Sequence, residues 1–294
     1  MSGIPSDLFN SLLKLQPAAY GQRYLSAVGF VILYWDHLLT FTDEVELIWT
    51  RPFNRIKFLF IVLRYGVGTS HLVVCYAVSG LSRNTPDSFC MGFLAVVAAM
   101  ALLSWMIVNY LMILGMYALW DRRQWVLKTL LIAYAISACI SCGMACASVV
   151  EFVHNTRFDN QFFHMCAVDV RPKYWVGIWA SQVLFNVLVL TLLFINASSR
   201  PRTEDVKLMN DLRRDGGLFY LTLTTSQAMF LLCFLNLILS VVDHGTEGLF
   251  LVAVPFSWAA ITVTACRLTL RLQRMLVDEE RQVYYETVEL RMFQ

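Results

Sequence analysis

Long apolar runs alternate with short charged or turn-forming punctuation along this chain. Runs of about 18 or more apolar residues recur, each long enough to cross a ~30 Å hydrocarbon core as a helix. In order they predict seven spanning helices, roughly Tyr24–Phe41, Ile56–Ser79, Gly92–Ala118, Val126–Val150, Tyr174–Ile195, Leu218–Val242 and Leu249–Cys266. The expected fold class is therefore all-α: a polytopic seven-helix transmembrane bundle over residues 24–266, preceded by an exoplasmic segment 1–23 and followed by a tail 267–294. The longest intervening segments are Glu151–Lys173 and Asn196–Gly217. In the tail, RLTLRLQRML places Arg267, Arg271 and Arg274 on one helical face and Leu268, Leu272 and Leu276 beside it. That pattern fits an interfacial amphipathic helix; a straight continuation of the seventh helix fits equally well.

The charges are sorted by loop. The turns after the first, third and fifth runs carry Arg51, Arg55 and Lys57, then Arg122, Arg123 and Lys128, then five basic residues between Arg200 and Arg214; the tail carries five more. The opposite side holds Lys14, Arg23, Arg83, Arg157, Arg171 and Lys173. The excess of Lys and Arg marks the cytoplasmic side, so the N-terminus is expected outside and the C-terminus inside. Trp49, Trp120, Trp125, Tyr174 and Trp175 stand at run ends, where amphipathic rings favour the headgroup layer.

Composition agrees with the pattern. Of 294 residues, 58% are hydrophobic and 15% charged, against about a quarter charged in a soluble chain. No basic patch interleaved with aromatics suggests nucleic acid. The first 20 residues lack the features of a cleaved signal, and neither end carries a lipidation motif.

Candidate chemistry begins in YWDHLLTFTDEVELIWTRP, Tyr34 to Pro52, where an apolar run turns acidic. Asp36 is expected about 7.5 Å and Arg64 about 10 Å deep in neighbouring antiparallel spans, at 1.5 Å per residue. Opposite charges at matching depth should pair, because an isolated one costs roughly 2.5–3.5 kcal/mol on insertion scales. The alternative has Arg64 reaching inward to Asp43 or Glu44. Cys90 and Cys166 are the two cysteines in or beside exoplasmic loops, where an oxidising compartment permits a disulfide; two free thiols are the other reading. Cys139, Cys142 and Cys146 share a helix face, but without His or acid beside them they read as small packing residues. The histidines, His37, His71, His154, His164 and His244, show no metal-ligand spacing, so neither a metal, a cofactor nor an enzyme is expected. The seventh run has no Lys for a retinal Schiff base. His71, Asn109, Gln182, Asn186 and Asn236 lie within spans, either as interhelical hydrogen-bonding groups or as the lining of a ligand cavity. Asp121-Arg122-Arg123 is placed like a receptor Asp-Arg-Tyr box but lacks the Tyr.

Four fragments carry a resemblance: YWDHLLTFTDEVELIW, FLFIVLRY, MYALWDRR and RLTLRLQ. They resemble a large basidiomycete fungal family of seven-span membrane proteins named for an N-terminal domain of unknown function. Trp35 and His37 depart from its wording at the first site. The resemblance implies seven helices, an exoplasmic N-terminus and receptor-like topology, with no catalytic or binding residues to carry over. The expectation is thus a plasma-membrane or endomembrane protein embedded in the lipid bilayer. It would bind a small molecule or lipid under Glu151–Lys173 and meet a cytoplasmic partner at Arg200–Arg214. A transporter or channel is the alternative and an intramembrane hydrolase a third.

Overall fold

The computed structural model describes residues 6–81, 86–120, 122–159, 165–168, 172–199, 206–242 and 249–292. It is a bundle of long helices. The first, α1, runs Ser6–Glu44 with Pro17 inside it, and passes directly into a π-helical turn, Val45–Trp49. After a short connection, Asn54 caps α2 (Arg55–Ile61) by accepting from the Lys57 amide at 2.8 Å. A second π turn, Val62–Gly66, joins α2 to α3 (Val67–Val78) in one rod. Helices α4 (Asp87–Leu119), α5 (Gln124–Asn155), α6 (Trp175–Ser199) and α7 (Val206–Val242) follow. A short α8 (Leu249–Val252) is interrupted at Ala253 before α9, Val254–Met292. Pro255 sits in the first turn of α9, where its missing N–H is harmless.

Among the described residues, six helices are long and apolar enough to cross a membrane: Gln16–Trp49, Arg55–Val78, Ser88–Leu119, Gln124–Glu151, Trp175–Asn196 and Thr224–Val242. The expected seventh, Leu249–Cys266, is not among them. The break at Ala253 splits its apolar run, and Arg267 and Arg271 then enter α9 within the next turns. The helix nevertheless belongs to the bundle, packing on α1, α4 and α7. Beyond Cys266 it simply continues, so the RLTLRLQRML stretch extends the last rod and does not turn aside as a separate interfacial helix. Helix α1 likewise starts well before residue 24, so much of the expected N-terminal segment is helical.

The expected loop Glu151–Lys173 contains a small antiparallel hairpin, β1 (Thr156–Asp159) with β2 (Met165–Val168), Phe158 opposite Cys166. Cys166 is bonded to Cys90 at the start of α4, with Cα atoms 5.6 Å apart, within the usual ~4.4–6.8 Å. The hairpin is therefore tied to the top of the bundle.

The core is aliphatic and Met-rich, with Phe60, Leu63, Leu111, Met112, Met116 and Leu130 essentially sealed. The outer surface is also apolar: Trp35, Leu38, Leu184 and Phe194 are each more than 60% exposed. A soluble monomer rarely leaves such large apolar area open; against lipid it is the expected finish. Helices α1 and α9 come close at Gly29, where a Cβ would stand 3.2 Å from Ala259 Cβ and 3.3 Å from Phe256 Cα.

Candidate functional site

Two constructions stand at opposite ends of the same helices, an ion cluster at the end expected to be cytoplasmic, called inner, and a cavity at the opposite end, called outer. On α1, Gln22 belongs to one and Asp36 to the other, about 21 Å apart at 1.5 Å rise per residue.

The inner one is built from α1, α3 with its π turn, and α9. Arg64 is 5% exposed, Asp36 3% and Glu44 not at all. Arg64 Nη1 donates to Asp36 Oδ2 at 3.1 Å, and its Nη2 donates to the His37 carbonyl at 3.2 Å and to Thr40 Oγ1. Its Nε lies 3.1 Å from Glu44 Oε2. The second oxygen of Asp36 accepts from Arg267 Nε at 2.7 Å. The other oxygen of Glu44 accepts from Trp49 Nε1 at 3.0 Å and from the Tyr65 hydroxyl. Further out, the half-exposed pair Arg274 and Asp43 meets at 2.6 Å. The guanidinium fork suits this work, because it offers five donors in fixed directions. The π turns explain how the ring of partners closes: in an α-helix a residue five positions on points roughly 140° away, whereas a π turn brings Glu44 and Trp49 to one face. Such turns are rare and concentrate at functional positions. Arg64 thus meets Asp36 and Glu44 at once, contacts that the sequence offered as alternatives. The participation of Arg267, far along the chain, was not legible in the sequence.

The outer construction is a cavity of about 200 Å³ beneath the disulfide-tied hairpin, reached by Cys166 itself. Trp105, Trp175, Trp179 and Trp258 form much of its wall. Trp179 stands edge-on to Trp105 and to Trp175, with ring centroids 5.7 and 6.3 Å apart. Trp258 Nε1 donates to Ser104 Oγ at 2.7 Å. A polar ledge completes it: Gln182 Nε2 donates to Ser141 Oγ at 2.7 Å, and Gln182 Oε1 accepts from Asn109 at 3.3 Å. Ser141 in turn meets Ser181 at 2.7 Å. No charged side chain is among the described residues that line the space.

Residues 24–67 match a family of unknown function (DUF6533). The matched segment holds Asp36, Glu44, Trp49, Arg64 and Tyr65, so it coincides with the α1–α3 part of the inner cluster. Every described residue lining the outer cavity lies outside it. No curated protein and no solved structure matches the chain.

The five polar candidates, which could be either interhelical hydrogen-bonding groups or cavity lining, do not share one space. Gln182 alone lines the space, and Asn109 supports it from behind. Asn186 donates to the Gln182 carbonyl at 2.9 Å and lies 3.8 Å from Cys233 Sγ. Asn236 joins α7 to α9 by donating to Ser257 Oγ at 2.8 Å. His71 packs on the Trp258 ring, centroids 4.9 Å apart, and touches the cavity only through it. A carboxamide deep in a bundle meets a neighbouring helix sooner than a void, and that is what Asn186 and Asn236 do. Trp175, expected as a headgroup anchor, is a cavity wall instead. The sequence signal for this site was the tryptophans in mid-run, Trp105 and Trp258, since large indoles away from span ends have no interface to anchor.

Among the described residues no group of three His, Cys, Asp or Glu is placed to hold a metal. The His154 side chain, His164 and His244 lie outside the described residues, as do residues 200–205; residues 206–214 form the first turns of α7.

Proposed function

We propose that this chain is a membrane sensor of receptor-like topology: it binds a small molecule in the outer cavity and transmits occupancy to its inner end. Seven helices would cross the bilayer, with the N-terminus outside and the C-terminus in the cytoplasm. Arg200–Arg214 would face a soluble partner or anionic lipid. The observation that carries the reading is the tryptophan-walled cavity roofed by a disulfide-tied hairpin. Concave, largely apolar and furnished with a few polar groups, it has the make-up of a ligand site. Helix α9 supports a seventh crossing despite its arginines, because Arg267 meets a carboxylate and need not enter lipid as an isolated charge. The resemblance of four fragments to seven-span fungal proteins points the same way.

The test uses the purified full chain in lipid nanodiscs, with ethylbenzene as a neutral probe and spin labels at the exposed Leu38 and Leu276 near the inner end. The sensor reading expects saturable probe binding that Ala101→Phe, which fills the cavity, removes, together with a change in the label distance on binding. Binding without any inner change would make the chain a carrier or a store, and no binding would end the ligand-site reading.

A further inference from the structure

A second hollow opens on the outside of the bundle, toward its inner end. Helix α4 packs on the second π turn and on α3 more than on α2 itself. The gap this leaves between α2, α4 and α5 is a groove of about 710 Å³. Its wall is apolar and aromatic, with Phe58 and Leu59 from α2, Met106 and Tyr110 from α4, and Tyr134 from α5. Tyr110 stands nine residues before the inner end of α4 and Tyr134 ten residues after the start of α5, about 14 and 15 Å at the helical rise. In a bilayer-embedded bundle these rings face hydrocarbon. The Tyr134 hydroxyl is already occupied, donating to the Met106 carbonyl at 3.2 Å. Phe53 and Phe58 meet edge to face with centroids 6.4 Å apart, and are 70% and 53% exposed. The mouth is chemically different. Arg55, the first residue of α2, is exposed and is the one charged side chain among the described residues that line the groove. Its guanidinium has no acidic or hydrogen-bonding partner among the described residues. Lys57, two positions on, is engaged elsewhere: its Nζ donates to the Arg51 carbonyl at 3.0 Å and lies over the Trp49 ring.

We propose that this groove holds one anionic glycerophospholipid of the cytoplasmic leaflet, with an acyl chain along the aromatic wall and the headgroup phosphate on Arg55. A guanidinium fork matches two phosphate oxygens at once, and an exposed one at the edge of a span is placed where headgroups lie. The groove continues from that charge into hydrocarbon, so its occupant needs an anionic end and a long apolar body. A soluble peptide cannot follow it to the depth of Tyr110, and an uncharged sterol leaves Arg55 unused. A zwitterionic lipid offers the same phosphate but carries a cation of its own, which offsets the attraction. The site rests on the bilayer embedding alone and stands whether or not the outer cavity binds a ligand.

The experiment titrates the delipidated full chain in detergent with dioleoyl phosphatidylserine and with dioleoyl phosphatidylcholine, counting bound lipids by native mass spectrometry. The first phosphatidylserine should bind about fivefold more tightly than the first phosphatidylcholine, the worth of one basic side chain near charged headgroups. Later lipids should show a smaller preference. Arg55→Gln should bring the first-site ratio toward onefold, whereas Arg123→Gln, which removes an equal charge from the same end of the bundle outside the groove, should leave it. Leu59→Trp, which narrows the groove, should weaken the first site for both lipids. In the wild-type chain, a phosphatidylserine with a diazirine on its acyl chain should label the α4 and α5 wall around Met106, Tyr110 and Tyr134. Equal first affinities for the two lipids, a preference that survives Arg55→Gln, or an equal loss in Arg123→Gln each overturns the headgroup contact. Labelling confined to other helices, or a first site indifferent to Leu59→Trp, overturns the groove as its place. Displacement of the first phosphatidylserine by cholesterol, with the same potency in wild type and Arg55→Gln, would assign the groove to a sterol and overturn the proposal.

Discussion

The two ends of α1 and α9 solve opposite problems. At the inner end, four charges are gathered where an isolated one would be intolerable, and each carboxylate oxygen of Asp36 and Glu44 has a partner. At the outer end no charged side chain is among the described residues lining the cavity, and tryptophan rings form much of its wall. Ion pairing makes one end a clasp, and aromatic rings around a void make the other a pocket. The family match falls on the α1–α3 part of the clasp and leaves out the cavity, so what is recognisable about this chain by comparison is how it holds together.

The sharpest way to break that contrast is at Arg64. Arg64→Leu leaves Glu44 buried with no cation and Asp36 with half its support, a change worth about 3–5 kcal/mol when one member of a buried pair is lost. The yield of monodisperse protein and its thermal midpoint should both fall steeply. A midpoint within a degree or two of wild type would show that the clasp holds nothing. Next comes the roof. Cys90→Ser with Cys166→Ser opens a long covalent loop and should lower stability by about 2–4 kcal/mol, with probe binding at the cavity weakened while the inner label distance in the unliganded chain stays put. Loss of inner order as well would mean the two ends are not separable.

A smaller effect tests how many bodies share the clasp. For a simple Asp36–Arg64 pair, Asp36→Leu added to Arg64→Leu should restore most of the loss. Here Glu44 and Arg267 would remain, each deprived of a partner, so recovery should be partial, with a coupling energy of about 1–3 kcal/mol in a double-mutant cycle. Full recovery would reduce the cluster to a pair. The smallest effect belongs to the pair at the rim. Arg274 and Asp43 are 41% and 44% exposed, so Arg274→Ala should change stability by less than about 1 kcal/mol, and raised salt should erase the difference.

Much of the inner end was legible before any coordinates, because the penalty for charge in hydrocarbon makes Asp36 and Arg64 seek each other within a short hairpin. Arg267 was not: it lies 231 residues from Asp36, and nothing local tells which tail arginine turns back into the bundle. Six of the long apolar runs fall on helices long and apolar enough to span, the seventh is split at Ala253, and helix ends escaped the pattern. Apolar length measures what lipid can cover, whereas α1 and α9 continue as helix past that limit. The hairpin at Thr156–Val168 was missed because two four-residue strands leave little periodic trace. The cavity was hardest. A void is defined by what several helices fail to fill, and of Asn109, Gln182, Asn186 and Asn236 only Gln182 lines it.

The two π turns also set where the chain has length to spare. Each holds one residue more than an α-helical turn would need. Removing Val45, an exposed position, would let the stretch after Glu44 revert to α-helix. Trp49 would then follow Glu44 by four positions, only about 40° around the axis, and their contact would survive. Removing Phe41, also exposed, has no such slack to draw on: it swings Glu44 about 100° relative to Asp36 and pulls the clasp apart. Insertions and deletions in this hairpin are thus tolerated by the turn they strike, and two neighbouring surface positions of similar composition differ in whether the chain can do without them.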